Sequence, residues 1–298
     1  MTEQASFHSG FAVIIGRPNV GKSTLINRLV GEKVSIVSPK PQTTRNKLLG
    51  IVTTEQSQII FVDTPGIHRP RTKLGEYMEK AAEDALQGID TLCVLVDALK
   101  VNAQDHNIVN RFGNVKIPKF LLINKVDLIH PQQLLPIIDS FKEDGFDMLL
   151  PLSAKTGEGV EELMQAIYAA LPVGPRYYPE DIFTDQTQRQ MVAEIIREKA
   201  LMYLKEEIPH GIGVEILTLK EESDSFTQVH ATIYCERDSH KGIIIGKKGM
   251  MLQQIGTQAR VGIEALLDTH VNLQLWVKVR PGWRDNASDL KTLGYWNN

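Results

Sequence analysis

A chain of 298 residues, 42% apolar and 23% charged, has ordinary globular usage and length enough for two domains, which excludes a disordered or fibrous protein. No apolar run approaches the roughly 18–20 residues of a membrane span, and Met1–Gly10 lacks the basic-then-apolar order of a signal peptide, so a cytoplasmic location is expected. The net charge of −3 hides a polarity: residues 1–175 carry −1, residues 176–236 carry −6 and residues 237–291 carry +4, so a polyanion is expected to dock on the last quarter.

The first 170 residues alternate strand and helix signals. Apolar runs at Phe11–Ile15, Ile59–Val62, Thr91–Val96, Phe120–Ile123 and Met148–Leu152 read as strands. Ser23–Leu29, Leu74–Leu86, Asp105–Phe112, Gln132–Phe141 and Gly159–Leu171 read as helices. The alternation predicts an α/β fold, a mostly parallel sheet with helices on both faces and its ligand at the carboxyl ends of the strands. Cys93 and Cys235 lie far apart in apolar runs and read as buried thiols rather than a disulfide or a metal site. Leu171–Pro179 contains three prolines and one glycine and reads as a linker. Beyond it, a helix at Gln186–Glu207, strands at Val214–Lys220 and Thr227–Glu236 around a turn at Glu221–Ser225, helices at His240–Ile245 and Met250–Leu267, and a strand at Val271–Val279 give a smaller α+β domain of order α-β-β-α-α-β. The expected bounds are 1–172 for the first domain, 173–183 for the linker, 184–283 for the second domain and 284–298 for a tail.

Gly16-Arg17-Pro18-Asn19-Val20-Gly21-Lys22-Ser23 fits G-x-x-x-x-G-K-[ST] between a strand and a helix, and Thr24 follows it. Its backbone N–H groups and the helix N-terminus suit phosphate oxygens. Lys22 would neutralise the β- and γ-phosphates, and the Ser23 hydroxyl would bind Mg²⁺. Asp63-Thr64-Pro65-Gly66 ends a strand beside this loop. Asp63 can hold Mg²⁺, and the Gly66 N–H can contact a γ-phosphate and lose it on hydrolysis. In Asn124-Lys125-Val126-Asp127 the Asp127 carboxylate can accept from the two adjacent donors of guanine, which adenine lacks. The Lys125 stem can cover the base, and Asn124 can tie this loop to the phosphate loop. The backbone of Ser153-Ala154-Lys155 can reach the guanine O6. GTP and GDP are therefore the expected ligands.

The second domain carries Gly242-Ile243-Ile244-Ile245-Gly246-Lys247-Lys248-Gly249. Gly246-Lys247-Lys248-Gly249 fits the G-x-x-G loop that clamps about four nucleotides of single-stranded RNA. Lys247 and Lys248 supply charge, Lys241 precedes the loop and Arg260 follows on the next helix. Ile243, Ile244 and Ile245 are expected to line a groove for unstacked bases together with the Val271–Val279 strand.

The four nucleotide motifs resemble the translation-factor-like class of small GTPases. With Gln42-Thr43-Thr44-Arg45-Asn46 they resemble the Era/TrmE/EngA group, and the second domain resembles a KH domain with its extra helix on the N-terminal side. The chain from about Phe11 to Trp283 is similar to members of that group with a C-terminal KH domain. The resemblance implies a GTPase that binds near the 3′ end of 16S rRNA and assists 30S subunit assembly. It also implies a switch threonine on Mg²⁺, either Thr44, the first choice, or Thr43. In relatives with an asparagine in the phosphate loop a bound K⁺ supplies the charge of an arginine. Asn19 occupies that position, and the other reading is that it only braces the loop. The resemblance further implies peripheral contact with the inner membrane, for which charge and anchor signals give no support. A monomer is expected.

The group departs from the Ras-like pattern. Ile67 follows Asp-Thr-Pro-Gly where a glutamine would orient the attacking water, and no arginine finger is evident, so hydrolysis is expected to be slow and helped by RNA or K⁺. His68-Arg69-Pro70-Arg71 reads either as a contact to RNA or protein or as a solvated loop. Trp283, Tyr295 and Trp296 read as packing on the second domain rather than stacking on bases. The eight histidines have no ligand spacing, so no metal besides Mg²⁺ is expected.

Overall fold

The computed structural model describes residues 6–38, 40, 43–66, 72–205 and 208–295, so Gln42, Ile67, His68, Arg69, Pro70, Arg71 and Trp296 lie outside the described residues. The described residues divide into two compact units, one of residues 6–35, 44–66 and 78–185, the other of residues 36–38, 40, 43, 72–77, 186–205 and 208–295.

In the first unit the strands β1 (His8–Gly16), β2 (Leu48–Thr53), β3 (Ser57–Asp63), β4 (Thr91–Asp97), β5 (Lys119–Asn124) and β6 (Met148–Leu152) form one sheet of order β2-β3-β1-β4-β5-β6. All pairings are parallel except β2 with β3. Alternate residues of each strand go to opposite faces. Ala12, Ile14, Ile59, Phe61, Cys93, Leu95 and Leu122 pack with Leu25, Ile26 and Leu29 of α1 (Lys22–Val30) and with Leu163 and Ile167 of α5 (Val160–Ala170). Val13, Ile15, Ile60, Val62, Val94, Val96 and Ile123 pack on the other face with Ile108, Val109 and Phe112 of α3 (Ala103–Phe112). Both faces are covered, which is why these strands read as continuous apolar runs. The register sets Gly16 beside Leu95, and Asp97 beside Asn124, so the carboxyl ends of the central strands share one edge.

Strand β2 is absent from the sequence reading. Its residues Leu48, Leu49 and Ile51 are buried, yet it runs antiparallel at the sheet edge and is joined to β3 with no helix between them, so the strand–helix alternation does not mark it.

The second unit has a sheet of order β7-β8-β9, from β7 (Gly213–Ser223), β8 (Phe226–Cys235) and β9 (His270–Val279). β7 and β8 are antiparallel, and β8 and β9 parallel. The hairpin turn is shorter than the expected Glu221–Ser225, because β7 continues to Ser223. Helices α6 (Gln188–Tyr203), α7 (Asp238–Ile245) and α8 (Met250–Leu267) complete the order α-β-β-α-α-β. Val192, Ile196 and Ala200 of α6 and Ile255, Ala259 and Ile263 of α8 enclose a core with Val229, Ala231 and Ile233 of β8. After β9, Trp283 is fully buried and its Nε1–H donates to the Gly211 carbonyl at 3.0 Å, while Tyr295 is 3% exposed, so both pack as the sequence suggests.

Cys93 and Cys235 are free and buried. Burial pushes the Cys93 thiol up to about 12 and raises that of Cys235, and only a thiolate reacts readily. Maleimide at pH 8 is therefore expected to label neither residue in the native protein and both after denaturation, read by intact mass. Native labelling of Cys93 would show that the core opens locally.

Candidate nucleotide and RNA sites

The phosphate loop leaves β1 at Gly16, whose φ is +155°, and a Cβ there would stand 2.4 Å from the Leu95 carbonyl oxygen. Gly21 has φ +106°, and its Cβ would meet the Asn124 amide nitrogen at 2.2 Å, so both ends of the loop need glycine. Between them Asn19 is exposed with φ +64°, and its carbonyl accepts from Lys125 Nζ at 2.9 Å. Pro18 lies half-buried against the main chain of Gly66, whose Cβ would come within 2.9 Å of the proline. Val20 is buried, and Thr24 is half-buried in the first turn of α1.

Lys22 is buried, with Nζ 3.0 Å from each of the Gly16 and Arg17 carbonyl oxygens. Burial lowers its ammonium to about 8, and the Asp63 carboxylate opposes that fall. Burial raises the Asp63 carboxyl, against the Lys22 charge and hydrogen bonds from Ser35, Ser23 and Thr44. The site thus holds a buried cation beside a buried carboxylate.

Around Asp63 the hydroxyl oxygens of Ser23, Ser35 and Thr44 lie 3.1, 2.8 and 3.3 Å from Oδ2, and Ser23 Oγ is 2.9 Å from Thr44 Oγ1. Among the described residues Asp63 Oδ1 is buried and has no hydrogen-bond partner, a costly condition that a cation relieves. An all-oxygen set with one carboxylate has the hardness Mg²⁺ prefers. Thr44 rather than Thr43 belongs to this cluster, because Thr43 Oγ1 donates to the Lys40 carbonyl. Thr64 spends its hydroxyl on the Ile14 carbonyl at 3.1 Å, and Pro65 follows it, also buried.

Asn124 joins three loops. Its Nδ2 donates to the Val20 carbonyl at 2.7 Å, and its Oδ1 accepts from the Ala154 N–H at 2.9 Å. Lys125, at φ +69°, pairs with Asp97 at 2.6 Å. Val126 and Asp127 start a short 3₁₀ turn that leaves the Asp127 side chain exposed, free to meet a base. Ser153 Oγ accepts from the Thr156 N–H, which shapes the last loop, and Lys155 is exposed. Arg28 of α1 donates to the carbonyls of Ala154 and Lys155.

Sequence reasoning missed Ser35, Asp97, Arg28 and Asp105, the partner of Arg17. Each lies between the motifs, and no local spacing marks it. Asn27 offered a signal for Ser35, since an amide one turn before a helix end can hold the following loop. Its Oδ1 accepts from the Val34 and Ser35 N–H groups.

In the second unit Gly246 has φ +73° and Gly249 φ +79°, with Lys248 at φ +52° between them. Lys247 and Lys248 are exposed, and Lys241 is half-buried. A groove of about 380 Å³ opens beside this turn, lined by Gly249, Leu252, Gln253, Gly256, Thr257 and Arg260 of the α8 side and by Leu273 and Leu275 of β9. Arg260 pairs with Glu264 at 3.3 Å and stays 47% exposed.

The isoleucine run is corrected by this geometry. Ile244 is fully buried in the core, and Ile245 packs half-buried against it, whereas Ile243 is 51% exposed. At about 100° per residue, three consecutive isoleucines cannot share one face of α7, so Ile244 is a core residue and not a wall of the groove. The wall comes from α8 instead, where Leu252, Gly256 and Arg260 recur at helical spacing after Gly249 at its N-cap.

Fold and loops together define a guanine-nucleotide-binding P-loop GTPase followed by a KH domain. A family model described as 50S ribosome-binding GTPase matches residues 11–125, and one described as KH domain matches residues 207–284. The chain is 50% identical to GTPase Era of Ruminiclostridium cellulolyticum over 295 residues, which cover 98% of this chain and 99% of that one. It is 51% identical to GTPase Era of Lacticaseibacillus paracasei over 290 residues, 97% of each. Among solved structures, Era in complex with MgGDPNP and nucleotides 1506–1542 of 16S ribosomal RNA aligns with a TM-score of 0.93 at 40% identity, covering 98% of this chain and 100% of that one. A variant of Aquifex aeolicus Era bound to GDP·AlF4⁻ aligns equally well, with a TM-score of 0.93. The chain belongs to the GTPase Era family, and it is a GTPase.

Proposed function

We propose that the protein is a GTP-driven switch that grips small-subunit ribosomal RNA near its 3′ end and so assists 30S subunit assembly. The observation that carries this reading is one chain with two built sites, the buried Ser23–Thr44–Asp63 cluster beside Lys22 and the lysine-tipped groove beside Gly246–Gly249. Its support from outside is the solved Era complex, in which a Mg-bound GTP analogue and the 3′ segment of 16S RNA occur together.

In this proposal the backbone of Gly16–Thr24 wraps the phosphates, Lys22 meets the β- and γ-oxygens, and the Gly66 N–H meets the γ-phosphate. Ser23, Thr44 and Asp63 hold Mg²⁺, which when bound neutralises charge on the phosphates. Asp127 accepts from guanine, and Lys125 covers the ring. The exposed Asn19 is the residue at which K⁺ would enter, and hydrolysis without RNA or K⁺ is slow. Lys241, Lys247, Lys248 and Arg260 meet RNA phosphates, while the floor of Gly256, Leu273 and Leu275 takes unstacked bases.

Loss of the γ-phosphate releases Thr44 and Gly66, and by linkage whatever RNA prefers, GTP or GDP state, the nucleotide must reciprocate. RNA affinity for the 3′ end of 16S rRNA is therefore expected to be tighter with a non-hydrolysable GTP analogue than with GDP, by about 5-fold or more. Fluorescence anisotropy with labelled RNA measures both. Equal affinities in the two states would defeat the switch.

A further inference from the structure

Arg17 occupies the second position of the phosphate loop, where its side chain could point at a nucleotide. It does not. Its Nε donates to Asp105 Oδ1 at 2.6 Å, and one terminal nitrogen donates to the Lys100 carbonyl at 2.7 Å. Asp105 is 1% exposed and the Arg17 side chain 13%. The carboxylate has a second duty: Asp105 Oδ2 accepts from the Asn102 N–H at 2.9 Å and so closes the capping box at the start of α3. Asp105 is therefore held from both sides, by the helix it caps and by the guanidinium it binds.

The main chain of the same arginine does something else. The Arg17 carbonyl oxygen and that of Gly16 are the two acceptors that hold Lys22 Nζ. The line of contact runs from the α3 cap through Asp105 to the Arg17 guanidinium, and through the Arg17 backbone to the ammonium that faces the phosphates. Gly16 and Gly21 stand at φ +155° and +106° and carry no side chain that could fix the two ends of the loop. The Arg17 side chain supplies an anchor outside the loop for the carbonyl that aims the buried cation.

We propose that Arg17 is a positioning residue for GTP hydrolysis, in which its ion pair with Asp105 fixes the Arg17 carbonyl and thereby the place of the Lys22 ammonium. The pair also keeps the guanidinium away from the phosphates, so the arginine of the loop supplies no charge to the reaction.

The test uses the full chain with Arg17→Met, Asp105→Ala and the pair combined, and Arg17→Lys as the conservative variant. Single-turnover hydrolysis at saturating GTP, affinities for GTP and GDP, and thermal unfolding are measured for each. Arg17→Met is expected to slow the single turnover by about 10- to 100-fold, since a displacement of about 1 Å in a reacting group has that cost. It is expected to weaken GTP more than GDP, because Lys22 meets the γ- as well as the β-phosphate. The double variant should be no slower than the worse single one, and Arg17→Lys should recover part of the rate through one remaining bond. Asp105→Ala also uncaps α3; if it fails to fold, Arg17→Met and Arg17→Lys decide alone. A brace without this role predicts a lower melting temperature with the rate at saturating GTP unchanged and GTP and GDP weakened alike. That pattern, or losses that multiply in the double variant, would overturn the proposal.

Discussion

Asp127→Asn is expected to lose GTP by at least about 10²-fold while gaining xanthosine triphosphate. In the proposed complex the carboxylate accepts from the N1–H and the exocyclic amino group of guanine, and hydrogen bonds to a charged group contribute about 1.5–3 kcal/mol each. Asparagine keeps one acceptor and turns a donor toward that amino group, leaving two donors facing each other. Xanthine carries a carbonyl at the same place and accepts from the new amide. Asp127 is exposed in the free protein, so folding should be untouched and the loss should appear in binding alone. Titration of both nucleotides by calorimetry reads the exchange. Retention of GTP within threefold, with no gain of the xanthine nucleotide, would mean that another group reads the base.

The second large effect is expected at the KH turn. Lys247→Glu with Lys248→Glu places two anions where the proposal puts RNA phosphates. Both lysines are exposed and unburdened by core contacts, so the unit should keep its melting temperature. Affinity for the 3′ end of 16S rRNA should fall by about 10²-fold near 0.15 M salt. The slope of log affinity against log salt should shrink by about 1.4, from two lost single-strand phosphate contacts at about 0.7 each. Anisotropy across a KCl series measures both, and GTP affinity serves as the control. An unchanged slope would place the phosphates elsewhere on the unit.

The nucleotide loops were legible because their chemistry is local. A phosphate loop works through its own backbone, so glycines at positions 16 and 21 and the lysine at 22 announce it without reference to anything distant. Asn124 was legible through its motif, and its bond to Val20 is the expected tie to the phosphate loop, whereas its bond to Ala154 is an addition of the fold. The residues that hold these loops were not legible. Ser35, Arg28, Asp97 and Asp105 act through partners 28 to 127 positions away, and side-chain direction across such spans depends on packing. The isoleucines of α7 show the complementary error. Their composition suggested an apolar wall, but the turn of the helix sends Ile244 into the core.

By itself the amino-acid order determined the strand–helix alternation, the fold class of a P-loop domain followed by a KH domain, the guanine-type loops and the lysine-tipped glycine turn, because each is written in neighbouring residues or in a short period. Tertiary structure alone decided that Thr44 and not Thr43 joins Asp63, that α8 and β9 wall the groove, and that the loop arginine is anchored to α3. Those outcomes depend on which atoms meet once the sheet is assembled, and contacts between distant segments have no signature along the chain.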